Sequence, residues 1–428
     1  MDCACPIFDN DKTYLGRFFN QKKTLNPETG KPAPGNDCHT IALLHVLMNY
    51  ARFRDYLKNN FTPDQLENRP ITKVLKRLLQ GFIKHPCKLP EKGHGYFWND
   101  PTVIEQPMNP KDLLQFLPAF DRDQQEDMVE VFRKVIEELA REEMIMENQG
   151  AIEPTETSGD NNDIEVVTAT HIGNSKIKDM FTWIIKTTFN CKAKGCGKEN
   201  TLYDTPTSIL VNIPEPNASR DDRNLNRCLP RSAAFHQVFE KRCSECNSNN
   251  NITANSIVVK SPDIALLQVG RNDGTDGNNK LKTEVVFPKR ICFDNLGLQD
   301  SDLAKPENKD LKKHKIGVLC NHHGVHTNVG HYTTFAMGIE REKGKWKTQC
   351  YLSNDDKVMK VLKDDVDDSE SRMESYCFAY YKESRRPDVD VPVSHTENVP
   401  DNDFDNPQPG PSTANIPSKG TFLIFITF

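Results

Sequence analysis

The sequence predicts an α+β fold, helical in its first third and strand-rich after it. Three observations predict it. Runs free of Gly and Pro, with apolar residues at helical spacing, occur before residue 145. An acidic stretch almost without apolar residues, ENQGAIEPTETSGDNNDIE (147–165), then interrupts the chain. Beyond it, short β-branched or aromatic runs alternate with turns. Helices and strands are therefore segregated, not alternated as βαβ units, which disfavours a dinucleotide fold and a TIM barrel. No GxGxxG or GxxxxGK[ST] motif occurs.

Residues 1–35 are polar and turn-rich, closing in Lys31-Pro32-Ala33-Pro34-Gly35, and Pro and Gly at that density forbid a helix. IALLHVLMNYARFRDYL (41–57) reads as one buried helix capped by Asn36 or Asp37. TKVLKRLLQGFI (72–83), KDLLQFL (111–117) and RDQQEDMVEVFRKVIEELARE (122–142) follow as helices, and 147–165 as a disordered insert or linker. FTWIIKTTF (181–189), SILVNI (208–213), NSIVVK (255–260), DIALLQV (263–269), TEVVF (283–287), KIGVLC (315–320) and HYTTFAMGI (331–339) read as strands of antiparallel sheet. RNDGTDGNNK (271–280) reads as a long flexible turn, and the Pro-, Asp- and Ser-rich segment 385–428 as a disordered tail.

With 428 residues, 36% of them apolar, the chain can bury a sizeable core. Lys plus Arg is 55 against 61 for Asp plus Glu, a net charge of -6 that gives no electrostatic pull toward nucleic acid or anionic lipid. The start, MDCACPIFDN, has neither the basic nor the apolar region of a secretory signal. No stretch reaches the ~20 apolar residues of a membrane span, and the closing GTFLIFITF is far shorter. The expectation is a soluble intracellular chain, cytoplasmic and/or nuclear. Its thirteen cysteines should then be reduced thiols, metal ligands or nucleophiles.

Cys38 follows the Pro/Gly loop and opens the first apolar helix, where helix-end N–H groups lower a thiol pKa. A buried structural Cys is the competing reading. His331 lies at a strand start beside Gly330, where it could serve such a thiol as base. Asn354 or Asp355, in SNDDKV, could orient its ring. His322, His323 and His326 are alternative bases, or parts of a His-rich metal site. Cys191-Lys-Ala-Lys-Gly-Cys196 and Cys243-Ser-Glu-Cys246 each sit at a turn between strand-like runs, as four thiolate ligands of one metal would. Free surface thiols and a redox CxxC are the other readings. Asp123, Gln125 and Glu126 suit an ordinary helix N-terminus.

In this order, the fragments resemble the ubiquitin-specific protease family over about residues 30 to 383. Its Cys box GNTCYxNSxLQxL is similar to Gly35-Asn36-Asp37-Cys38-His39-Thr40-Ile41-Ala42-Leu43-Leu44-His45-Val46-Leu47. Its DAQEF helix start resembles Asp123-Gln124-Gln125-Glu126-Asp127, and its PxxLxxxLKRF strand resembles Pro262 to Arg271. Its His box resembles His314 to Gly324 followed by Gly330-His331-Tyr332. Its W…NDxxV ending resembles Trp346 with Asn354-Asp355-Asp356-Lys357-Val358, and its closing strand resembles Ser375 to Tyr381.

The resemblance implies a papain-like cysteine protease core with fingers, palm and thumb: a helical thumb, an antiparallel sheet palm and zinc-ribbon-like fingers at about 181–260. It implies a catalytic domain over 31–384, with 1–30 as an extension. It further implies hydrolysis after the carboxy-terminal Gly of ubiquitin. Cys38 would be nucleophile, His331 base and Asn354 the orienting residue with Asp355 beside it. Cys191, Cys196, Cys243 and Cys246 would hold a structural zinc, with no catalytic cofactor. Asp123, Gln125 and Tyr332 would lie near substrate. Ubiquitin and ubiquitylated proteins would be the partners of a monomer that engages neither nucleic acid nor membrane. The chain departs from the pattern at Ala33, where the family has an oxyanion-donating Asn, a loss that typically costs ~10²–10³ in rate. It also departs at Asp37 for Thr, at His39 for an aromatic, in the wide first Cys pair and in a long Trp346–Asn354 interval. A ubiquitin-binding scaffold with little catalysis is therefore the second expectation.

Overall fold

A computed structural model describes residues 8–9, 12–13, 23–25, 32–33, 37–58, 61–84, 111–117, 120, 126–147, 172–232, 243–248, 252–272, 279–296, 313–326, 329–342, 345–355 and 357–383. Within this set the longer helices precede the two larger sheets, as the sequence predicts, while short helices at Leu225–Cys228, Lys363–Val366 and Ser369–Glu374 fall between strands. Two short ribbons open the chain, β1 (Phe8–Asp9) with β2 (Lys12–Thr13), and β3 (Lys23–Leu25) with β4 (Pro32–Ala33). Helices α1 (Cys38–Met48), α2 (Ala51–Lys58), α3 (Pro63–Glu67), α4 (Pro70–Lys84), α5 (Lys111–Leu114), α6 (Met128–Glu147) and α7 (Lys176–Phe181) follow. The insert 147–165 lies outside the described residues except for its first position, and the tail 385–428 lies outside them throughout.

All eleven residues of α1 are buried, because the run is apolar on every face apart from His39, Thr40 and His45. The expected single helix over 41–57 is two helices. The chain breaks at Asn49–Tyr50, where Tyr50 leaves the helix line to stack on Tyr381, ring centroids 5.4 Å apart. The Arg54 guanidinium turns back from α2 and donates to the Met48 carbonyl at 3.0 Å, satisfying an end group of α1. Helix α6 starts at Met128, six residues later than the pattern suggests, because Asp127 caps it: its Oδ1 accepts from the Val129 and Glu130 N–H groups at 2.7 and 3.1 Å.

The last turns of α6 anchor two other helices. Glu142 accepts from the Ile71 and Thr72 N–H groups (2.7 and 3.1 Å) and from the Thr72 hydroxyl (2.6 Å), closing the start of α4. Glu143 accepts from the Ser175 hydroxyl (2.6 Å) and the Ile177 N–H (3.1 Å) at the start of α7. Adjacent residues on a helix point about 100° apart, so one glutamate can face each neighbour.

The strands form two larger sheets. A three-stranded sheet, in order β6 (Glu199–Asp204), β5 (Ile184–Cys191), β8 (Ile252–Lys260), carries the cysteine turns. The main sheet runs β14 (Lys357–Val361), β13 (Lys345–Asn354), β12 (His331–Glu342), β11 (His314–His323), β15 (Ser375–Lys382), β9 (Ile264–Gly270), β7 (Ser208–Asn212), with β10 (Arg290–Ile291) beside β11. It is antiparallel except that β7 pairs parallel with β9. The expected strand at 283–287 does not join it. There the Val285 N–H donates to the Arg372 carbonyl and the Val286 N–H to that of Arg223, so the segment stitches loops together.

Alternating residues cover the two faces of the main sheet. Ile264, Leu266, Cys377, Ala379 and Tyr381 pack with the helices, while Ala265, Leu267, Phe378 and Tyr380 pack with Trp183, Leu225 and Phe293. The register shifts between Ile316 and Val318, which sends these two to opposite cores although they are two apart. Gly317 sits in the shift. A Cβ there would stand 1.8 Å from Tyr381 Cε2, and the Tyr381 hydroxyl donates to the Val46 carbonyl at 2.9 Å. From β13 of the same sheet, Ser353 Oγ lies 2.7 Å from His45 Nε2 on α1. Among the described residues no helix is long and apolar enough to cross a membrane.

Glu142→Ala should cost about 3 kcal/mol of stability, because it strands buried donors at the start of α4, whereas Glu137→Ala on the exposed face should cost less than about 0.5 kcal/mol. Urea unfolding of both variants measures this. Burial holds His45 and His314 down to about 4, and His322 to about 3. The unfolded rings take their protons near pH ~6.5. The unfolded chain therefore binds more protons between pH 6.5 and 4, so stability should fall as pH falls through that window. His45→Gln should show a shallower slope of stability against pH than the native chain.

Candidate active site

Helix α1 brings Cys38 under the start of β12. Asp37 precedes it as N-cap with no side-chain capping bond, so the first turn keeps its N–H groups for other acceptors. Cys38 is only 2% exposed, and burial pushes its thiol up to about 12. The Tyr332 and His39 backbone N–H groups donate to the sulfur and work the other way, while the Asp355 and Asp37 carboxylates add to the rise.

His331 and Asn354 come together across β12 and β13. His331 Nε2 lies 2.8 Å from Asn354 Oδ1, with the ring N–H donating. That bond fixes the proton on Nε2 and makes Nδ1 the basic nitrogen. Asp355 follows in the β13–β14 turn with φ 54°, a left-handed position that Asp tolerates better than most residues. The strand pairings that carry these groups are Thr334↔Ser353 in β12–β13 and His323↔His331 in β11–β12.

Tyr332 is buried. Its hydroxyl accepts from the Met128 N–H at the start of α6, and its ring packs with those of His322 and Tyr376, at 4.6 and 5.5 Å. Asp127, the last residue of the Asp123–Asp127 motif, is central there: its Oδ2 accepts from the Tyr376 hydroxyl and from Gln268 Nε2. Sequence reasoning gave it no role. An Asp immediately ahead of the first apolar helical residue is the signal that could have found it. Asp123 and Gln125 lie outside the described residues. Ala33 sits in β4 with its backbone paired to Lys23, and residues 34–36 lie outside the described residues. His322, His323 and His326 belong to no metal-ligating group among the described residues: His323 Nε2 is 2.8 Å from the Thr333 hydroxyl, and His322 packs against Tyr332.

The four finger cysteines converge. Their sulfurs all lie within 4.8 Å of one another, and they are the one group of three or more such ligands among the described residues. Cys191 and Cys246 sulfurs are 3.6 Å apart, and those of Cys196 and Cys243 are 3.7 Å apart, with no disulfide formed. A tetrahedron of ~2.3 Å metal–sulfur bonds has edges of about 3.8 Å, so the set fits a metal ion. Two matching turns present them. The Cys191 N–H donates to the Lys198 carbonyl and the Cys243 N–H to that of Ser248. Gly195, Gly197 and Asn247 supply the positive φ values of 83°, 62° and 54°. The Ser248 hydroxyl and backbone N–H hold the Cys246 thiol down to about 6, toward the ligating thiolate.

The family model described as ubiquitin carboxyl-terminal hydrolase matches residues 29–380. Among curated proteins, the chain is 24% identical over 364 residues to ubiquitin carboxyl-terminal hydrolase 3 of Mus musculus, covering 76% of this chain but only 64% of that protein's length. Among solved structures it is similar to the yeast SAGA DUBm with an Sgf73 mutant, at TM-score 0.54 and 16% identity over 88% of this chain and 70% of that one. It is similar also to the SAGA DUB module Ubp8/Sgf11/Sus1/Sgf73 bound to monoubiquitin, at TM-score 0.56 and 14% identity over 89% and 71%. The module bound to ubiquitin aldehyde gives TM-score 0.56 and 15% identity over 88% and 71%. The α+β fold expected from the sequence is the fold of these structures. With the family match running from ahead of Cys38 into the last strand, the chain belongs to the ubiquitin carboxyl-terminal hydrolase family.

Proposed function

We propose that the chain is a deubiquitinating thiol protease that hydrolyses the (iso)peptide bond after the carboxy-terminal Gly of ubiquitin. The observation that carries the reading is the His331–Asn354 bond of 2.8 Å at a strand start whose next N–H reaches the Cys38 sulfur. Asn354 holds Nε2–H, so Nδ1 takes the Cys38 proton as sulfur attacks the carbonyl carbon. The resulting imidazolium protonates the departing amine, and the ring then removes a proton from the water that splits the thioester. Burial keeps Cys38 as neutral thiol at rest, so the nucleophile forms as attack occurs. Helix-end N–H groups around Cys38 are the available oxyanion donors, since Ala33 has no side-chain donor. Asp355 sits beside Asn354, and Asp123 and Gln125 are assigned to the substrate cleft on the family pattern alone.

The metal is zinc in this reading, held by Cys191, Cys196, Cys243 and Cys246. It supplies a cross-link between the two finger turns and no chemistry to the bond being cut. A second reading, a ubiquitin-binding scaffold with weak catalysis, is favoured by one feature: a thiol both buried and flanked by Asp37 and Asp355, on a chain with Ala33.

Ubiquitin bearing a carboxy-terminal electrophile should label the native chain and leave Cys38→Ala unlabelled. Ubiquitin binding without labelling of the native chain would select the scaffold. His331→Ala should lose turnover by at least about 10³-fold while retaining ubiquitin binding. For the fingers, purified protein should carry one zinc per chain by atomic emission. Cys243→Ala should lose that zinc and lower the melting temperature, and zinc-free native protein would sink the assignment.

A further inference from the structure

The β11–β12 hairpin that delivers His331 is gripped from outside by residues of no assigned role. Segment 279–282 runs beside it. Asn279 bridges to His326, and the Lys280 N–H donates to the Val325 carbonyl at 3.3 Å. Lys280 Nζ donates to the His322 carbonyl and to Glu374 Oε2. Lys282 Nζ donates to the Gly324 carbonyl at 3.2 Å and to Glu374 Oε1. One carboxylate thus spaces two ammonium groups, and each ammonium holds one carbonyl of the hairpin. The Lys280 side chain is only 1% exposed, a costly place for a charge unless its direction is used.

The held carbonyls are next to the chemistry. His322 pairs with Tyr332 and His323 with His331. The hairpin is closed too tightly to absorb a shift. A Cβ on Gly324 would meet the Val329 carbonyl at 2.6 Å, and one on Gly330 would meet the His323 carbonyl at 2.3 Å and His322 Nε2 at 2.5 Å. Displacement of the His322 or Gly324 carbonyl is therefore passed to Gly330 and His331.

We propose that Lys280, locked to Glu374, is a positioning residue for His331: it fixes the hairpin so that the ring keeps its bond to Asn354. The proposal rests on the assignment of His331 as base. Lys280→Met should lower kcat about 10²-fold on ubiquitin carrying a carboxy-terminal fluorogenic amide, with KM within about twofold. Glu374→Gln leaves one carbonyl acceptor and turns an N–H2 donor toward the other lysine, so it should also lower kcat, and it serves where Lys280→Met does not fold. The second readout needs no substrate. With 15N-histidine labelling, His331 should report a single Nε2–H tautomer in the native chain and averaged ring shifts in a folded Lys280→Met. An inert native chain would count against the proposed function, and the ring shifts would still decide this inference. Unchanged ring shifts or unchanged kcat in folded Lys280→Met would overturn it, as would a loss confined to KM.

Discussion

The fold is organised around the need to seat a helix that is buried on every side. An apolar helix in an apolar core is free to slide or turn, because dispersion and burial have no preferred direction. Helix α1 is held by directional contacts at separate points: the Tyr381 hydroxyl on the Val46 carbonyl, Ser353 on His45, and Arg54 on the Met48 carbonyl. The first two come from strands of the main sheet, so they set the rotation of α1 against that sheet. Cys38 stands seven residues before His45, and Asn354 stands one residue after Ser353. The contact that fixes the helix is thus also the contact that sets the spacing of the groups at its end.

The same economy recurs at the start of α6. Asp127 caps that helix with one oxygen and holds Tyr376 and Gln268 with the other. The Met128 N–H beside it goes to the Tyr332 hydroxyl. The helical half and the sheet half are therefore joined by hydrogen bonds next to the candidate site, where a purely apolar seam would tolerate slip. The fingers are different. Their sheet is anchored at one end and closes at the other on four sulfurs spaced to fit a metal ion.

Much of this was legible in the sequence where physics is local. Apolar periodicity marked α1, α4 and α6, β-branched runs marked β5, β8, β9, β11 and β12, and the two Cys pairs were read as one cluster, which is how their sulfurs lie. What the sequence did not show depends on partners far along the chain. The break at Asn49–Tyr50 exists because Tyr381 offers a ring to stack on, more than three hundred residues later. The missing strand at 283–287 was lost to loop carbonyls that no window of local sequence contains. The stretch 271–280 reads as a long flexible turn, yet its two ends, Arg271 and Lys280, are among the buried charges of the protein. The ends of a loop belong to the elements that they touch, and composition does not show those contacts.

Arg271 is such an end. All five of its N–H groups are taken, by the carbonyls of Ser375, Leu281, Thr283 and Arg372 and by the Ser375 hydroxyl. No carboxylate is among these acceptors; the charge is solvated by the backbone as it would be by water. Such a shell is useful only when complete, because a guanidinium buried with half its acceptors is worse placed than one left outside. Its acceptors come from two separate stretches, 281–283 and 372–375. The buried guanidinium therefore keeps its full set of acceptors only while both stretches are in place. The hairpin that presents His331 leans on the first of those stretches, so the candidate site shares its support with a charge buried between two distant parts of the chain.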